Sequence, residues 1–315
     1  MKLIRGLHNL TSPLPGCVAT IGNFDGVHLG HQHVINQLKA VASIKSLPSV
    51  VMLFEPQPVE FFAPHQAPRR LTRLRDKIIR LSELGVDYMV CMLFNHQFAN
   101  LSAEQFVQQV LIDRLNVRHL VIGDDFRFGK SRTGDFEYLQ QRGAEAGFEV
   151  ENTHTLLMDN ERVSSTRIRQ CLYNDDLVTT RQLLGRPYTL SGKVAHGKKL
   201  GRQLGFPTIN LKMGHRPIAA NGIFAVLVKG LDNRVLRGVA SIGTRPTVDG
   251  SSTILEVYIL NFCEQIYGRC VDVEILHKIR NEEKFDSLNA LTVQINQDIN
   301  DARTYFEHNE ILETK

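Results

Sequence analysis

Residues 17–42 restrict the fold more than any other part of the chain, because they read as a strand, a glycine-punctuated turn and a helix start in immediate succession. Cys17-Val18-Ala19-Thr20-Ile21 is an unbroken short apolar run, the pattern of a buried strand. Gly22-Asn23-Phe24-Asp25-Gly26-Val27-His28-Leu29-Gly30-His31 follows, and Val34, Ile35, Leu38, Val41 and Ala42 then recur at the spacing of an inner helix face. Such a turn leaves backbone N–H groups and the positive end of a helix dipole aimed at one spot, which favours phosphate. Gly22, Gly26 and Gly30 permit positive φ or the close approach of a ligand. Phe24 and Asp25 complete the candidate phosphate loop. His28 and His31 are three apart and would share a face of the first helical turn. A neutral imidazole there donates one hydrogen bond to a phosphate oxygen, and an imidazolium adds charge. The alternative is half of a His-x-x-His metal site, but no Cys or carboxylate pair stands nearby at ligand spacing.

The alternation continues. Ser49–Phe54, Tyr88–Phe94 and Leu120–Gly123 are apolar strands. Helical spacing follows a Thr72 cap (Leu74, Ile78, Ile79, Leu81, Leu84), runs from Ala103 to Leu115 behind a Ser102 cap, and covers Gly134 to Ala146. Val59 to Arg70 reads as a long loop with two exposed phenylalanines, a length usually functional or mobile. Strands apolar throughout, alternating with helices, predict a parallel α/β sheet covered on both faces, with ligands at the carboxyl ends of its strands. A second candidate loop lies at such an end, Gly123-Asp124-Asp125-Phe126-Arg127-Phe128-Gly129. It nearly spells a P-loop, but five residues separate the glycines, and Phe126 and Phe128 would crowd a phosphate. A flat ligand against an aromatic suits it, with Asp125 as acceptor and Arg127 as charge; the phenylalanines simply tucking the loop onto the sheet is the alternative. Ser164, Ser165, Thr166 and Arg167 open a further helix and form a second candidate anion site, or merely a capped surface helix.

Near Gly185 the texture changes to short strands: Tyr188–Val194, Ile223–Val228, Leu236–Ser241, Ile254–Leu260 and Cys270–Leu276. Turns at Gly214, Asp232-Asn233 and Asp249-Gly250 separate them, as in an all-β barrel, and Asp286–Phe306 reads as one terminal amphipathic helix. The expected domains are therefore residues 1–185 and 186–315. Gly197, Lys198, Lys199, Gly201 and Arg202 make a basic glycine loop suited to polyphosphate. Thr208 and Asn210 are neutral oxygen donors facing the same way on an extended segment, able to complete a Mg²⁺ shell whose charge is met mostly by nucleotide phosphates. Glu256 sits between Leu255 and Val257, which face the opposite side; such a glutamate is usually just the solvent face.

Composition excludes several classes. A net charge of +4 over 315 residues is small and predicts no nucleic-acid partner, while suiting anionic small molecules. The five cysteines form no C-x-x-C, no stretch is long enough to span a bilayer, and the N-terminus lacks an apolar leader. A cytoplasmic protein is expected.

Taken together the motifs resemble one family. Gly22 to His31 resembles the His-x-Gly-His signature of nucleotidyltransferases that transfer AMP from ATP, in the wording of the bacterial bifunctional riboflavin kinase/FAD synthetases. Gly123–Gly129 resembles the flavin-side segment of that module, and Val163–Arg169 its Ile-Ser-Ser-Thr-x-Ile-Arg motif, with Val163 for Ile. Gly201–Asn210, Ser241–Thr247 and Leu255–Ile259 resemble the riboflavin kinase runs, with Ile209, Tyr258 and Asn261 for the commoner Ala, His and Asp, and Lys198-Lys199-Leu200 for a more acidic loop. The resemblance implies a Rossmann-like nucleotidyltransferase (FMN adenylyltransferase, or FAD synthetase) domain followed by a riboflavin kinase barrel. It implies riboflavin, FMN, FAD and ATP as ligands, ATP as co-substrate and Mg²⁺ at Thr208 and Asn210. It further implies Glu256 as the kinase base, His28 and His31 at the adenylyl-transfer centre, and flavin contacts at Asp125, Phe126, Arg127 and Phe128. The rival readings are another adenylyltransferase, which leaves the barrel idle, and a flavin-binding protein that consumes no ATP.

Overall fold

The computed structural model describes residues 1–10, 12–123, 125–153, 155–197, 201, 204–213, 218–247 and 250–309. The chain divides into two compact units, Met1–Pro68 with Thr72–Ser165, and Arg69–Leu71 with Thr166–Lys315.

In the first unit six strands, β1 (Lys2–Arg5), β2 (Cys17–Ile21), β3 (Ser49–Glu55), β4 (Tyr88–Leu93), β5 (Val117–Ile122) and β6 (Glu149–Asn152), form one sheet in the order β1-β4-β3-β2-β5-β6. Every pairing is parallel. The helices α1 (Leu29–Lys45), α2 (Pro58–Phe62), α3 (Leu74–Glu83), α4 (His96–Ala99), α5 (Ala103–Phe106) and α6 (Phe136–Ala146) complete its main elements, with a small hairpin of β7 (Leu157–Met158) and β8 (Glu161–Arg162). Because side chains alternate across a strand, β3 sends Val50, Met52 and Phe54 to one core and Val51 and Leu53 to the other. The first core packs under Phe106, Val110, Leu111 and Leu139, the second under Ile35, Leu38, Ala42 and Leu81. Burial on both faces is why β3 is apolar at every position from Val50 to Phe54.

The departures from pattern are local. The edge strands β1 and β6 carry too few apolar residues for periodicity to reveal them. The two Glu of β6 are held by His119 of β5, whose Nδ1 lies 3.0 Å from Glu149 and Nε2 2.9 Å from Glu151. The expected 59–70 loop contains the single-turn α2, whose N-terminal Gln57 N–H donates to Glu60 at 2.8 Å. Of its phenylalanines only Phe62 is exposed; Phe61 packs against the core. Ser102 caps as expected, although the helix widens to π over Val107–Ile112. Arg73, not Thr72, occupies the N-cap of α3.

In the second unit α7 (Ser165–Tyr173), which begins on the last residue of the first unit, and α8 (Leu177–Leu184) precede a closed barrel. Its strands are β9 (Tyr188–Ala195), β10 (Thr208–Lys212), β11 (Gly222–Leu231), β12 (Arg234–Thr247), β13 (Gly250–Ile259) and β14 (Cys270–Arg280), in the order β10-β13-β12-β11-β14-β9. All pairings are antiparallel, and β10, expected only as an extended segment, closes the barrel against β9. Asp232 and Asn233 turn β11 into β12 with φ of 52° and 62°, a conformation Asp and Asn tolerate. The turn residues Gly214 and Asp249 lie outside the described residues.

The terminal helix α9 (Leu288–His308) is capped by Ser287, whose hydroxyl accepts from Ala290 N–H at 3.1 Å. It lays Ile299, Ala302 and Phe306 on Ile223, Ala225, Val239 and Leu260 of the barrel's outer face. The Arg280 guanidinium clasps Asp298 of α9 through two bonds, 2.7 Å from Nε and 2.8 Å from Nη2, and this pairing raises the Arg280 pKa. Removing one member strands the other in a largely buried setting. Asp298→Ala is therefore expected to destabilise this unit by about 3 kcal/mol, read as a lower urea midpoint.

Candidate active sites

The direction of the strand order reverses between β2 and β5, the switch point at which parallel sheets open a crevice. The 22–31 turn follows β2 and the 123–129 loop follows β5, so both candidate loops stand at that crevice.

The first turn is strained. Phe24, Gly26 and Val27 have φ of 48°, 91° and 43°. Only glycine adopts that region freely, and a β-branched residue there needs its surroundings to hold it. Asp25, 2% exposed, supplies part of the hold: the Thr72 N–H and hydroxyl donate to its Oδ1 at 2.9 and 3.1 Å. Thr72 Oγ1 in turn accepts from Gly26 N–H at 2.8 Å. The Ser165 hydroxyl, on the last residue of the first unit, donates to the Asp25 carbonyl at 2.7 Å. Asp25 thus spends its carboxylate on Thr72. Thr72 is the residue that the sequence reading missed, its hydroxyl having been read as a helix cap.

His28 is the N-cap of α1 rather than a residue of its first turn. Its Nδ1 accepts from His31 N–H at 3.2 Å, and the two rings stack with centroids 3.6 Å apart. An accepting Nδ1 places the proton of the neutral ring on Nε2, leaving Nε2–H as a donor. Gly30 is glycine because a Cβ would lie 3.0 Å from the Val163 carbonyl and 3.1 Å from the His28 ring. Gly22 is likewise closed in, by the Phe24 ring at 3.2 Å. Of the three glycines, Gly26 alone uses positive φ. Ser164 stands just before α7, and Thr166 and Arg167 follow Ser165 within it.

The 123–129 loop divides between the two readings of its phenylalanines. Phe128 belongs to the core, packed on Phe106 (5.1 Å) and Tyr138 (6.1 Å), and Phe126 stacks on Phe128 at 5.5 Å while staying half-exposed. Gly134 leaves room for the Phe128 ring, which a Cβ would meet at 2.4 Å. Asp125 and Arg127 are exposed, and Arg162 of β8 donates to Asp125 at 3.1 Å. Phe106, Phe98, Phe94 and Phe54 extend the ring contacts along the sheet at separations of 5.1–6.0 Å. That aromatic wall could not be read from spacing, since its members come from separate elements.

In the barrel unit the register brings the candidates together. Asn210 of β10 lies opposite Glu256 of β13, and Ser241 of β12 lies opposite Glu256 on its other side. Leu255 and Val257 point into the barrel, fully buried. Glu256 faces outward, yet not to open solvent: with Thr208, Asn210, Ser241 and Tyr258 it lines a cavity of about 430 Å³ beneath α9. The Phe285 ring and apolar residues of α9, Leu291 and Ile295, form part of the other wall. Glu282 also lines it, its carboxyl pushed up by burial. A second cavity, about 270 Å³, is lined by Thr208, Pro207, Ile259, Phe262 and Tyr267. Thr208 borders both. Gly197 closes over Asn210, whose amide a Cβ would meet at 2.4 Å, and a Cβ on Gly201 would meet the Phe206 carbonyl at 2.5 Å and the Thr208 hydroxyl at 3.4 Å. Lys199 and Arg202, the cations expected in this loop, lie outside the described residues.

A family model described as FAD synthetase matches residues 11–167, and one described as riboflavin kinase matches residues 184–306. The chain is 49% identical to the bifunctional riboflavin kinase/FMN adenylyltransferase of Escherichia coli strain K12, over 97% of this chain and 98% of that one. It is 47% identical to the Haemophilus influenzae protein of the same name, over 97% and 99%. Among solved structures it resembles one described as a macrolide-efflux protein from Streptococcus pneumoniae, with 30% identity, a TM-score of 0.78 and coverage of 96% and 99%. Among the described residues of this chain, no helix is long and apolar enough to cross a membrane.

Thr72→Val keeps the shape of the side chain but removes the hydroxyl that accepts from Gly26 N–H and donates to Asp25. The expected result is a loss of about 2 kcal/mol in unfolding free energy, with faster hydrogen exchange at the Gly26 amide.

Proposed function

The chain belongs to the bifunctional riboflavin kinase/FMN adenylyltransferase family, and from that premise we propose how its residues divide two ATP-dependent reactions. The enzyme phosphorylates riboflavin to FMN and then transfers AMP from ATP to FMN, giving FAD and pyrophosphate. Residues 186–315 carry the first reaction and residues 1–185 the second.

The observation that carries the kinase assignment is the place of Thr208 between two cavities. The larger, aromatic and apolar on one wall, takes the flavin; the smaller takes the nucleotide. Phosphoryl transfer then runs past Thr208. The riboflavin hydroxyl is neutral and must lose its proton as its oxygen bonds to the γ-phosphorus and the bond from that phosphorus to the leaving ADP breaks, and the Glu256 carboxylate accepts that proton. Thr208 and Asn210 suit Mg²⁺ as neutral oxygen donors, half-buried on one face of β10, because the phosphates bring the negative charge. The ion would neutralise charge on the transferring phosphoryl group. Gly197, Lys199, Gly201 and Arg202 are the phosphate-binding loop that the family resemblance implies.

Adenylyl transfer needs no comparable base. The FMN phosphate is already an anion, and its oxygen attacks the α-phosphorus of ATP as the bond to pyrophosphate breaks. What the site must supply is positive charge and donors for the α-phosphate and the leaving group. His28 Nε2–H, His31 and the backbone of the turn from Gly22 through Phe24 to Gly30 supply donors, Asp25 and Gly26 shape that turn through Thr72 and Ser165, and Ser164, Ser165, Thr166 and Arg167 are the further anion-binding segment that the family resemblance implies. The flavin ring of FMN lies against Phe126, with Phe128 supporting it and Asp125 and Arg127 at its polar edge. The cytoplasm is the expected compartment: the five cysteines form no C-x-x-C, and the exposed Cys263 and Cys270 would persist as thiols in a reducing milieu.

With riboflavin, ATP and Mg²⁺, a chromatographic time course is expected to show FMN first and FAD after it; absence of both products would overturn the assignment. Glu256→Gln is expected to slow FMN formation by about 10²–10⁴-fold while FMN is still converted to FAD. His28→Ala is expected to do the reverse, lowering FAD formation about 10²-fold. Asn210→Ala is expected to raise the Mg²⁺ concentration needed for half-maximal FMN formation, leaving that for FAD formation unchanged.

A further inference from the structure

Lys77 has no part in the assignments above, yet it is 0% exposed. It lies on α3 next to positions such as Ile78 and Leu81 that pack into the apolar core beside β2 and β3. An ammonium in such a place is costly unless it is hydrogen-bonded, and an apolar side chain would fill the volume without that cost. Its Nζ donates to the Asn23 carbonyl at 2.8 Å. Asn23 is the first residue after Gly22 in the strained turn, immediately before Phe24 at φ 48°.

The peptide linking Asn23 to Phe24 is planar and trans, so its C=O and N–H point in opposite directions. Holding the carbonyl on the buried lysine therefore directs the Phe24 N–H to the side away from Lys77. Among the described residues that N–H meets no protein acceptor, although Phe24 is 2% exposed. A buried N–H left over in a turn that precedes a helix start is a receptor for an anion. We infer that Lys77 is a positioning residue for adenylyl transfer, which fixes the Asn23–Phe24 peptide so that Phe24 N–H binds a polyphosphate oxygen of ATP. This rests on the adenylyltransferase reading of the first unit.

The test compares Lys77→Met with the unaltered enzyme in two separate assays, FMN to FAD and riboflavin to FMN. In the first, the KM for ATP and the inhibition constant of added inorganic pyrophosphate are expected to rise together by about tenfold, with the KM for FMN unchanged. The second assay is expected to be unaltered, and serves as the measure of an intact fold together with the thermal unfolding midpoint. A purely structural role would lower the midpoint and the amount of active enzyme without moving KM for ATP and pyrophosphate inhibition in parallel. Lys77→Gln, which is polar but uncharged, tests the same expectation should the Met variant fail to fold. Unchanged adenylylation constants in a folded variant, or an equal change in both assays, would overturn the role of Lys77 alone. Failure of the unaltered enzyme to convert FMN to FAD would overturn the adenylyltransferase reading and this inference with it.

Discussion

The first unit depends on the buried carboxylate of Asp25. Through its side chain it holds Thr72, and through its carbonyl it receives the Ser165 hydroxyl, so three stretches far apart in sequence meet at one residue. The turn around it adopts a backbone that Phe24 and Val27 would not choose alone. Charge-assisted hydrogen bonds in a water-poor setting are strong enough to hold such strain, and a loop so held presents its N–H groups without rearrangement when a ligand arrives. The stacked His28 and His31 rings and the closely packed Gly30 are consequences of that arrangement.

The two units solve the same problem, the binding of ATP, by different structural means. The parallel sheet gathers loops at the switch point between β2 and β5, where helix starts bring partial positive charge. The barrel is closed, with every pairing antiparallel. It aligns Asn210, Glu256 and Ser241 across three neighbouring strands and roofs them with α9. The chemistry matches the means. A nucleophile that is already a phosphate anion needs donors and charge, which loops and helix ends provide. A neutral hydroxyl needs a base held in a fixed place, and strand register fixes Glu256, the proposed base, between Asn210 and Ser241.

Aromatic residues show how one pair can both pack a loop and present an exposed face. Phe128 lies in the core and Phe126 stacks on it half-exposed, so the same pair anchors the loop and leaves a flat apolar face open. In the barrel unit the Arg280–Asp298 ion pair and the apolar seam of Ile299, Ala302 and Phe306 together hold α9 over the cavity.

The sequence by itself determined the α/β character of the first half, its parallel sheet, the barrel, the terminal helix and the family. Short-range patterns encode these: apolar runs at β2 to β5, helical spacing at α1, α3 and α9, and glycines at fixed offsets. It could not reveal β1 and β6, whose burial is partial, or that Thr72 turns to Asp25 instead of capping α3. It left open whether Glu256 faced solvent, because alternation distinguishes the two faces of a strand and not what covers each. Only the tertiary structure decided that α9 covers that face, that Asn210 and Ser241 flank Glu256, and that Lys77 reaches Asn23. These are contacts between segments distant in the chain, and long-range pairing leaves no period in the sequence from which to read it.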